Sequence, residues 1–125
     1  MKLLLDTHVF LWLAGGEARL PPKTLSKLED ARNTVFISAV SAWEIAIKRS
    51  LGKLRAPDDI AAEAERFRFI ELPVTISHAV ATEKLPMHHS DPFDRLLIAQ
   101  AIAEDLQIVT RDRAFSPYGV GIVPA

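Results

Sequence analysis

Four carboxylates spread along the chain are the side chains best suited to chemistry, because together they could hold a divalent cation. Asp6 ends an apolar run, Glu44 stands among apolar neighbours, and Asp94 and Asp112 frame a long apolar segment near the end. Taken singly, Asp6 or Asp94 could cap a helix, and Asp112 could belong to a turn. Glu44 could be a solvated glutamate that pairs with Lys48 one helical turn away. Only a fold that brings the acids together would make them a site.

The elements that must position these acids alternate along the chain. Strands are predicted at residues 2–6, 34–38, 69–72, 107–110 and 121–123, and helices at 7–14, 23–32, 39–51, 60–67, 75–85 and 92–106. Asp91 is the expected cap of the last helix, which is apolar on nearly every side and should be buried or face a partner. This alternation predicts one α/β domain over residues 1–125, with a mostly parallel central sheet flanked by helices on both faces.

Such a sheet would bring the four acids to one edge, since strand carboxyl ends and helix N-termini share it. Asp6 and Asp112 follow strands, and Asp94 lies in the first turn of a helix. Glu44 lies about five residues into its helix, and a side chain that points back toward the N-terminus could still reach the edge. Converging carboxylates stay ionised only if a cation lies among them. Oxygen ligands favour Mg²⁺ or Mn²⁺ over zinc.

A cation held in this way suits phosphoryl chemistry, because it binds phosphate oxygens and lowers the pKa of a bound water. The formal net charge of -1 is low for a dedicated nucleic-acid binder, so the metal rather than a basic surface would meet the phosphate. Basic side chains that could assist, although a solvated surface is their simpler role, are Lys48, Arg49, Lys53, Arg55, Arg95, Arg111 and Arg113. Weaker site candidates are Thr7, Ser38 and Thr110, which are more typical helix caps, and the pair His88–His89, which is more typical of a loop.

Composition excludes several other classes of protein. The chain has no cysteine, which rules out disulfides and zinc–thiolate sites and fits a reducing cytoplasm. It has no apolar run long enough for a membrane span, and Asp6 and His8 interrupt the segment that imitates a secretion signal. It also lacks a glycine-rich phosphate loop, so nucleotide binding of that type has no support.

Four segments carry a resemblance to a known family: LLLDTHVFLWL at 3–13, ISAVSAWEIAIKRSLGKL at 37–54, DPFDRLLIAQA at 91–101 and IVTRD at 108–112. With them the sequence resembles the PIN-domain ribonucleases, and among these the VapC-type toxins of prokaryotic toxin–antitoxin pairs. The resemblance implies a PIN-like three-layer fold and a Mg²⁺- or Mn²⁺-dependent endoribonuclease. It also implies a VapB-type antitoxin that blocks the site, and a homodimer. The acids of the family correspond to Asp6, Glu44, Asp94 and Asp112, of which the last is the least uniform.

Two other functions stay open at this point. The chain could be mainly a binding or dimerising module that uses the apolar helix 93–106 and the surroundings of Trp12 and Trp43. It could also be a metal-dependent DNA nuclease or phosphatase on a similar sheet. Sensitivity to EDTA separates a nuclease from a binding module, and a comparison of RNA with DNA separates the nucleases.

Overall fold

Within the residues that the computed structural model describes, 1–16 and 20–125, five short strands form one parallel sheet. In chain order they are β1 Lys2–Leu5, β2 Thr34–Ser38, β3 Ile70–Leu72, β4 Gln107–Thr110 and β5 Ile122–Pro124. Their order across the sheet is β3-β2-β1-β4-β5, and every pairing is parallel. The predicted mostly parallel sheet is therefore confirmed.

Helices connect the strands and cover both faces of the sheet. They are α1 Thr7–Ala14, α2 Pro22–Glu29, α3 Ala39–Ser50, α4 Ile60–Arg66, α5 Ile76–Ala81 and α6 Pro92–Glu104, with 3-10 helices at Thr82–Lys84 and Arg113–Tyr118. The predicted helix 75–85 therefore ends as an α-helix at Ala81 and continues as a 3-10 helix. The other predicted ends shift by up to three residues. No helix in the described ranges is long and apolar enough to cross a membrane.

β1 is the centre of the core, because its leucines point alternately to the two faces of the sheet. Leu3 and Leu5 belong to one buried cluster, together with Phe10 of α1 and further side chains. Leu4 belongs to a second cluster on the opposite face, which contains Leu97 of α6. All three β1 leucines are fully buried, which explains why the strand reads as an unbroken apolar run rather than an alternating one.

β1 also marks the point where the sheet changes its winding direction. β2 pairs with one side of β1 and β4 with the other, and the registers place Leu4 between Phe36 and Ile108. In open parallel sheets, ligands bind in the crevice beyond the strand carboxyl ends at such a reversal. The crevice at the ends of β1 and β4 is consequently where a site is expected.

α6 packs against this arrangement with its middle buried. Residues 97–101 are buried, whereas Ile102 is 54% exposed. The helix ends at Asp105, whose backbone is left-handed with φ 54° and ψ 54°. The apolar composition of the middle of α6 is thus explained by the core, and the last turn offers apolar surface at Ile102.

Candidate functional site

Asp6 lies at the crevice between β1 and β4. Its backbone N–H donates to the Val109 carbonyl at 3.0 Å, which extends the ladder between the two strands by one residue. Asp6 occupies the cap position of α1, but its side chain caps nothing. Instead Oδ2 accepts a hydrogen bond of 2.8 Å from the Thr110 hydroxyl at the end of β4. The helix-cap interpretation of the Asp6 side chain is therefore wrong, and its buried carboxylate stays in the crevice.

Glu44 reaches the same crevice from the second turn of α3, and it is only 3% exposed. The Thr7 hydroxyl lies 2.9 Å from Glu44 Oε1 and 2.9 Å from the Ser41 hydroxyl. Since a hydroxyl has one proton, Thr7 donates to the carboxylate and accepts from Ser41. The other carboxylate oxygen pairs with Lys48 at 2.5 Å. The i+4 pair that the sequence suggested is thus present, but Glu44 is buried rather than solvated.

Asp94 reaches the crevice because another acid caps its helix. Asp91 Oδ1 accepts the Asp94 backbone N–H at 3.0 Å, as expected for the cap of α6. The Asp94 side chain, which is 15% exposed, contacts a histidine instead: His89 Nε2 lies 2.7 Å from Asp94 Oδ2. Both histidines lie in the loop before α6, as the loop-pair interpretation predicts. His89 contacts Asp94, whereas the exposed His88 ring packs edge-on against Tyr118.

Asp112 is the most exposed of the four acids, and it also has a structural role. Its Oδ1 accepts the Ala114 backbone N–H at 2.9 Å and so caps the 3-10 helix Arg113–Tyr118. Its own N–H donates to the Thr110 hydroxyl at 3.0 Å. One potential ligand atom from each of His89, Asp94 and Asp112 lies within 4.8 Å of the others. The turn interpretation and the site interpretation of Asp112 are therefore compatible.

The acids influence one another electrostatically. Burial raises the pKa of Asp6, and the charges of Glu44 and Asp112 raise it further, whereas the Thr110 hydrogen bond and His8 lower it. Burial also raises the pKa of Asp94 to about 6 against the opposing hydrogen bond from His89, and Asp6 and Glu44 are among the acids that add to the rise. The four predicted acids thus share one electrostatic environment at one edge of the sheet.

The distances between these four acids are less uniform than their mutual effects on pKa suggest. Among the described residues, the group close enough to share an ion consists of His89, Asp94 and Asp112, and Asp6 and Glu44 are not part of it. Asp6 and Glu44 are both buried, and their charges raise the pKa of Asp94.

Several predicted basic residues have structural partners. Lys48 is paired with Glu44, and Arg49 donates to the Pro57 carbonyl. Arg111 donates to the Ala125 carbonyl and stacks 4.4 Å from the centre of the Trp12 ring. Arg95 donates to the backbone carbonyls of residues 82, 85, 86 and 89. The exposed side chains that stay available to a phosphate include Lys53, Arg55 and Arg113.

The sequence interpretation missed a buried polar network behind the site. Gln100 is fully buried in α6, where its Oε1 accepts from the Ser38 hydroxyl at 2.5 Å. Its Nε2 faces the Pro73 carbonyl at 3.2 Å and His78 Nδ1 at 3.3 Å. Ser38 is also the cap of α3, as expected, and accepts from the Val40 N–H. A glutamine inside an apolar helix was the available signal, because buried polar groups require partners.

Comparisons with known proteins agree with this architecture. The family model of the PIN domain matches residues 3–120. Ribonuclease VapC16 of Mycobacterium tuberculosis is 41% identical over 59 residues, which are 46% of this chain and 42% of that protein. The match thus spans less than half the length of this relative. Ribonuclease VapC22 of the same organism is 27% identical over 114 residues, 89% of this chain and 87% of that protein.

Two solved structures show the same fold over nearly the whole chain. A chain of VapBC2 from Rickettsia felis, bound to a DNA fragment from its promoter, is similar with a TM-score of 0.74 and 18% identity, covering 100% of this chain and 99% of that chain. A chain of DNA-bound VapBC from Salmonella typhimurium gives a TM-score of 0.72 and 21% identity, covering 99% and 98%. At these identities the likeness concerns the fold alone.

Proposed function

The chain belongs to the PIN-domain family, and on that premise we propose that it is a metal-dependent endoribonuclease, the toxin of a type II toxin–antitoxin pair. The observation that supports the proposal is the mutual electrostatic effect of four acids, from four separate parts of the chain, on the pKa values of Asp6 and Asp94. The names of the relatives VapC16 and VapC22, both called ribonucleases, support RNA as the substrate. We also propose a cytoplasmic location, which the absence of cysteine fits.

The residues at this edge fit a hard divalent cation. Asp6, Glu44 and Asp94 are the proposed main ligands, and Asp112 supports the ion or orients a water. The raised pKa values of Asp6 and Asp94 support this assignment, because burial and neighbouring carboxylates raise them and positive charge in the crevice would lower them. Mg²⁺ or Mn²⁺ would supply that charge and lower the pKa of a bound water near a phosphodiester.

The neighbouring side chains orient the acids. The Thr110 hydroxyl holds Asp6, and the Thr7 hydroxyl together with Lys48 holds Glu44. These partners fix the directions of the carboxylate oxygens before a substrate arrives, which keeps the cost of organising the site small. Thr7 and Thr110 are therefore proposed positioning residues.

We further propose a VapB-type antitoxin and a second copy of this chain as partners, which the VapBC complexes among the similar structures support. The sequence left open whether α6 is buried or faces a partner, and its middle, residues 97–101, is buried in the core. Apolar side chains that remain exposed for a partner include Trp43, Ile76, Val80 and Met87.

Cleavage of a labelled single-stranded RNA in the presence of Mg²⁺ tests the proposed activity. Asp94→Asn should abolish cleavage, and EDTA should stop the unmodified protein. Asp58→Asn is the matched control, because Asp58 is an exposed acid outside the site and its loss should leave cleavage unchanged. Undiminished cleavage by Asp94→Asn, or cleavage that persists in EDTA, would contradict the proposal. A DNA oligonucleotide of the same sequence should stay intact, and its cleavage would instead favour a DNA nuclease.

A further inference from the structure

The backbone of His89 is fixed at both of its polar groups. Its N–H donates to the Tyr118 hydroxyl at 2.8 Å, and its carbonyl accepts from Arg95 Nη1 at 3.2 Å. The ring also lies edge-on against the buried Phe115, with 6.5 Å between ring centroids. His89 therefore has a defined position, although it belongs to a connecting segment between helices.

Arg95 explains how the segment before α6 is held. Its guanidinium donates to the carbonyls of Thr82 at 2.9 Å, Leu85 at 3.2 Å and Pro86 at 2.9 Å, and to the Tyr118 hydroxyl at 3.3 Å. A guanidinium has five donors in a rigid plane, so it can bind several carbonyls of one segment at once. Arg95 directly follows Asp94 on α6, and it thus ties the histidine segment to the helix that carries the acid.

This brace places an imidazole nitrogen within the proposed metal centre. His89 Nε2 lies 2.7 Å from Asp94 Oδ2, and these two residues and Asp112 each place a potential ligand atom within 4.8 Å of the others. The proposed donor set therefore includes one nitrogen besides the carboxylates. Mg²⁺ prefers oxygen ligands and retains its waters, whereas imidazole is a good ligand for first-row transition ions.

We propose that His89 Nε2 exchanges its hydrogen bond to Asp94 for a bond to the metal ion, in the tautomer that carries the ring proton on Nδ1. This nitrogen ligand makes the centre favour a transition ion such as Mn²⁺ over Mg²⁺. The inference rests on the proposed function, because it places the ion at the same acids. It goes further by naming a ligand outside the four acids and by predicting which class of ion the site selects.

Pulsed electron paramagnetic resonance of the protein loaded with Mn²⁺ tests the ligand directly, since a coordinated imidazole gives ¹⁴N modulation. The intact protein should show this modulation, and His89→Ala should lose it. Mn²⁺ titrations should show an affinity lowered at least about tenfold in His89→Ala, which is in the range for disturbed metal sites. The Mg²⁺ affinity, measured by competition, should change much less. Circular dichroism at the same temperature should confirm that the variant is folded.

His88→Ala is the matched control, because His88 is the adjacent histidine and its side chain is exposed. It should keep both the ¹⁴N modulation and the preference for Mn²⁺. Modulation that is absent from the intact protein while Mn²⁺ is bound would overturn the inference. So would a His89→Ala variant with an unchanged ratio of Mn²⁺ to Mg²⁺ affinity.

The two proposals fail in different ways. If Mn²⁺ binds without nitrogen coupling and Asp94→Asn abolishes that binding, His89 is not a ligand but the acidic metal centre stands. If the intact protein binds neither Mn²⁺ nor Mg²⁺, the metal-dependent function falls together with the role of His89.

Discussion

Replacing Asp94 with asparagine should stabilise the protein in EDTA at neutral pH, although the same change should abolish cleavage. Burial raises the pKa of Asp94 from 3.8 to about 6, and the charges of Asp91, Asp6 and Glu44 contribute. The folded protein therefore binds the Asp94 proton more tightly than the unfolded chain does. The free energy of unfolding consequently falls as the pH rises from about 4 to about 6, and this loss persists at higher pH. Asparagine does not ionise and avoids the loss.

The size of this gain in stability follows from the shift in the pKa of Asp94. A rise from 3.8 to about 6 corresponds to about 3 kcal/mol if all of it is expressed as stability. The Asp94 side chain is 15% exposed, so water screens part of the interaction and about 1–2 kcal/mol is the better expectation. For a chain of this size, that gain should raise the melting temperature by about 3–8 °C. Asparagine can still accept a hydrogen bond from His89, so the contact at this position is retained.

Urea denaturation of both proteins in EDTA, at pH values of about 4, 6 and 7.5, measures the effect. The stability difference between Asp94→Asn and the unmodified protein should grow with pH and reach its full size above about 6. Asp58→Asn should show no such pH-dependent gain. Two results would refute the conclusion that the pKa of Asp94 is raised in the folded protein. One is a stability difference that stays constant with pH, and the other is an asparagine variant that becomes less stable relative to the unmodified protein as the pH rises.

Two further predictions concern the fold that supports the site. Gln100→Leu should lower the free energy of unfolding by about 2 kcal/mol in urea, because the buried Ser38 hydroxyl loses its acceptor, and an unchanged midpoint would contradict the network. Asp105→Gly should raise stability by up to about 1 kcal/mol, because the left-handed backbone at the end of α6 suits glycine better. Gly119→Ala is the reverse control, because Gly119 has a φ of 73°, and it should destabilise the protein by a similar amount.

The order of helices and strands could be predicted because each buried strand is a short apolar run between turn residues. The bounds of α1, β2 and β4 agree with the prediction at both ends. The predicted helix 75–85 failed for a tertiary reason. Arg95 binds the Thr82 and Leu85 carbonyls from outside, and the segment turns into a 3-10 helix at Thr82. A contact with a residue that follows later in the chain leaves no local pattern.

The acids of the candidate site could be inferred from their places at strand and helix ends, whereas their partners could not. Which hydroxyl meets Asp6 depends on the pairing of β1 with β4, and Thr110 enters only through that pairing. The contact between His89 and Asp94 depends on the brace around Arg95 and Tyr118. Side-chain contacts of this kind require the course of the chain in space, which alternation of apolar and polar residues does not specify.

These partners also explain how such an acidic crevice can exist in a folded protein. Asp6 is held by the Thr110 hydroxyl and Asp112 by a backbone N–H, and both donors are neutral. In the described part of the chain, Glu44 alone among the four acids contacts a permanently cationic side chain, Lys48. The hydrogen bonds therefore fix the carboxylates without cancelling their charge. A chain with a net charge of only -1 can in this way keep a strongly negative crevice, and a divalent cation is the ligand that such a crevice should bind most strongly.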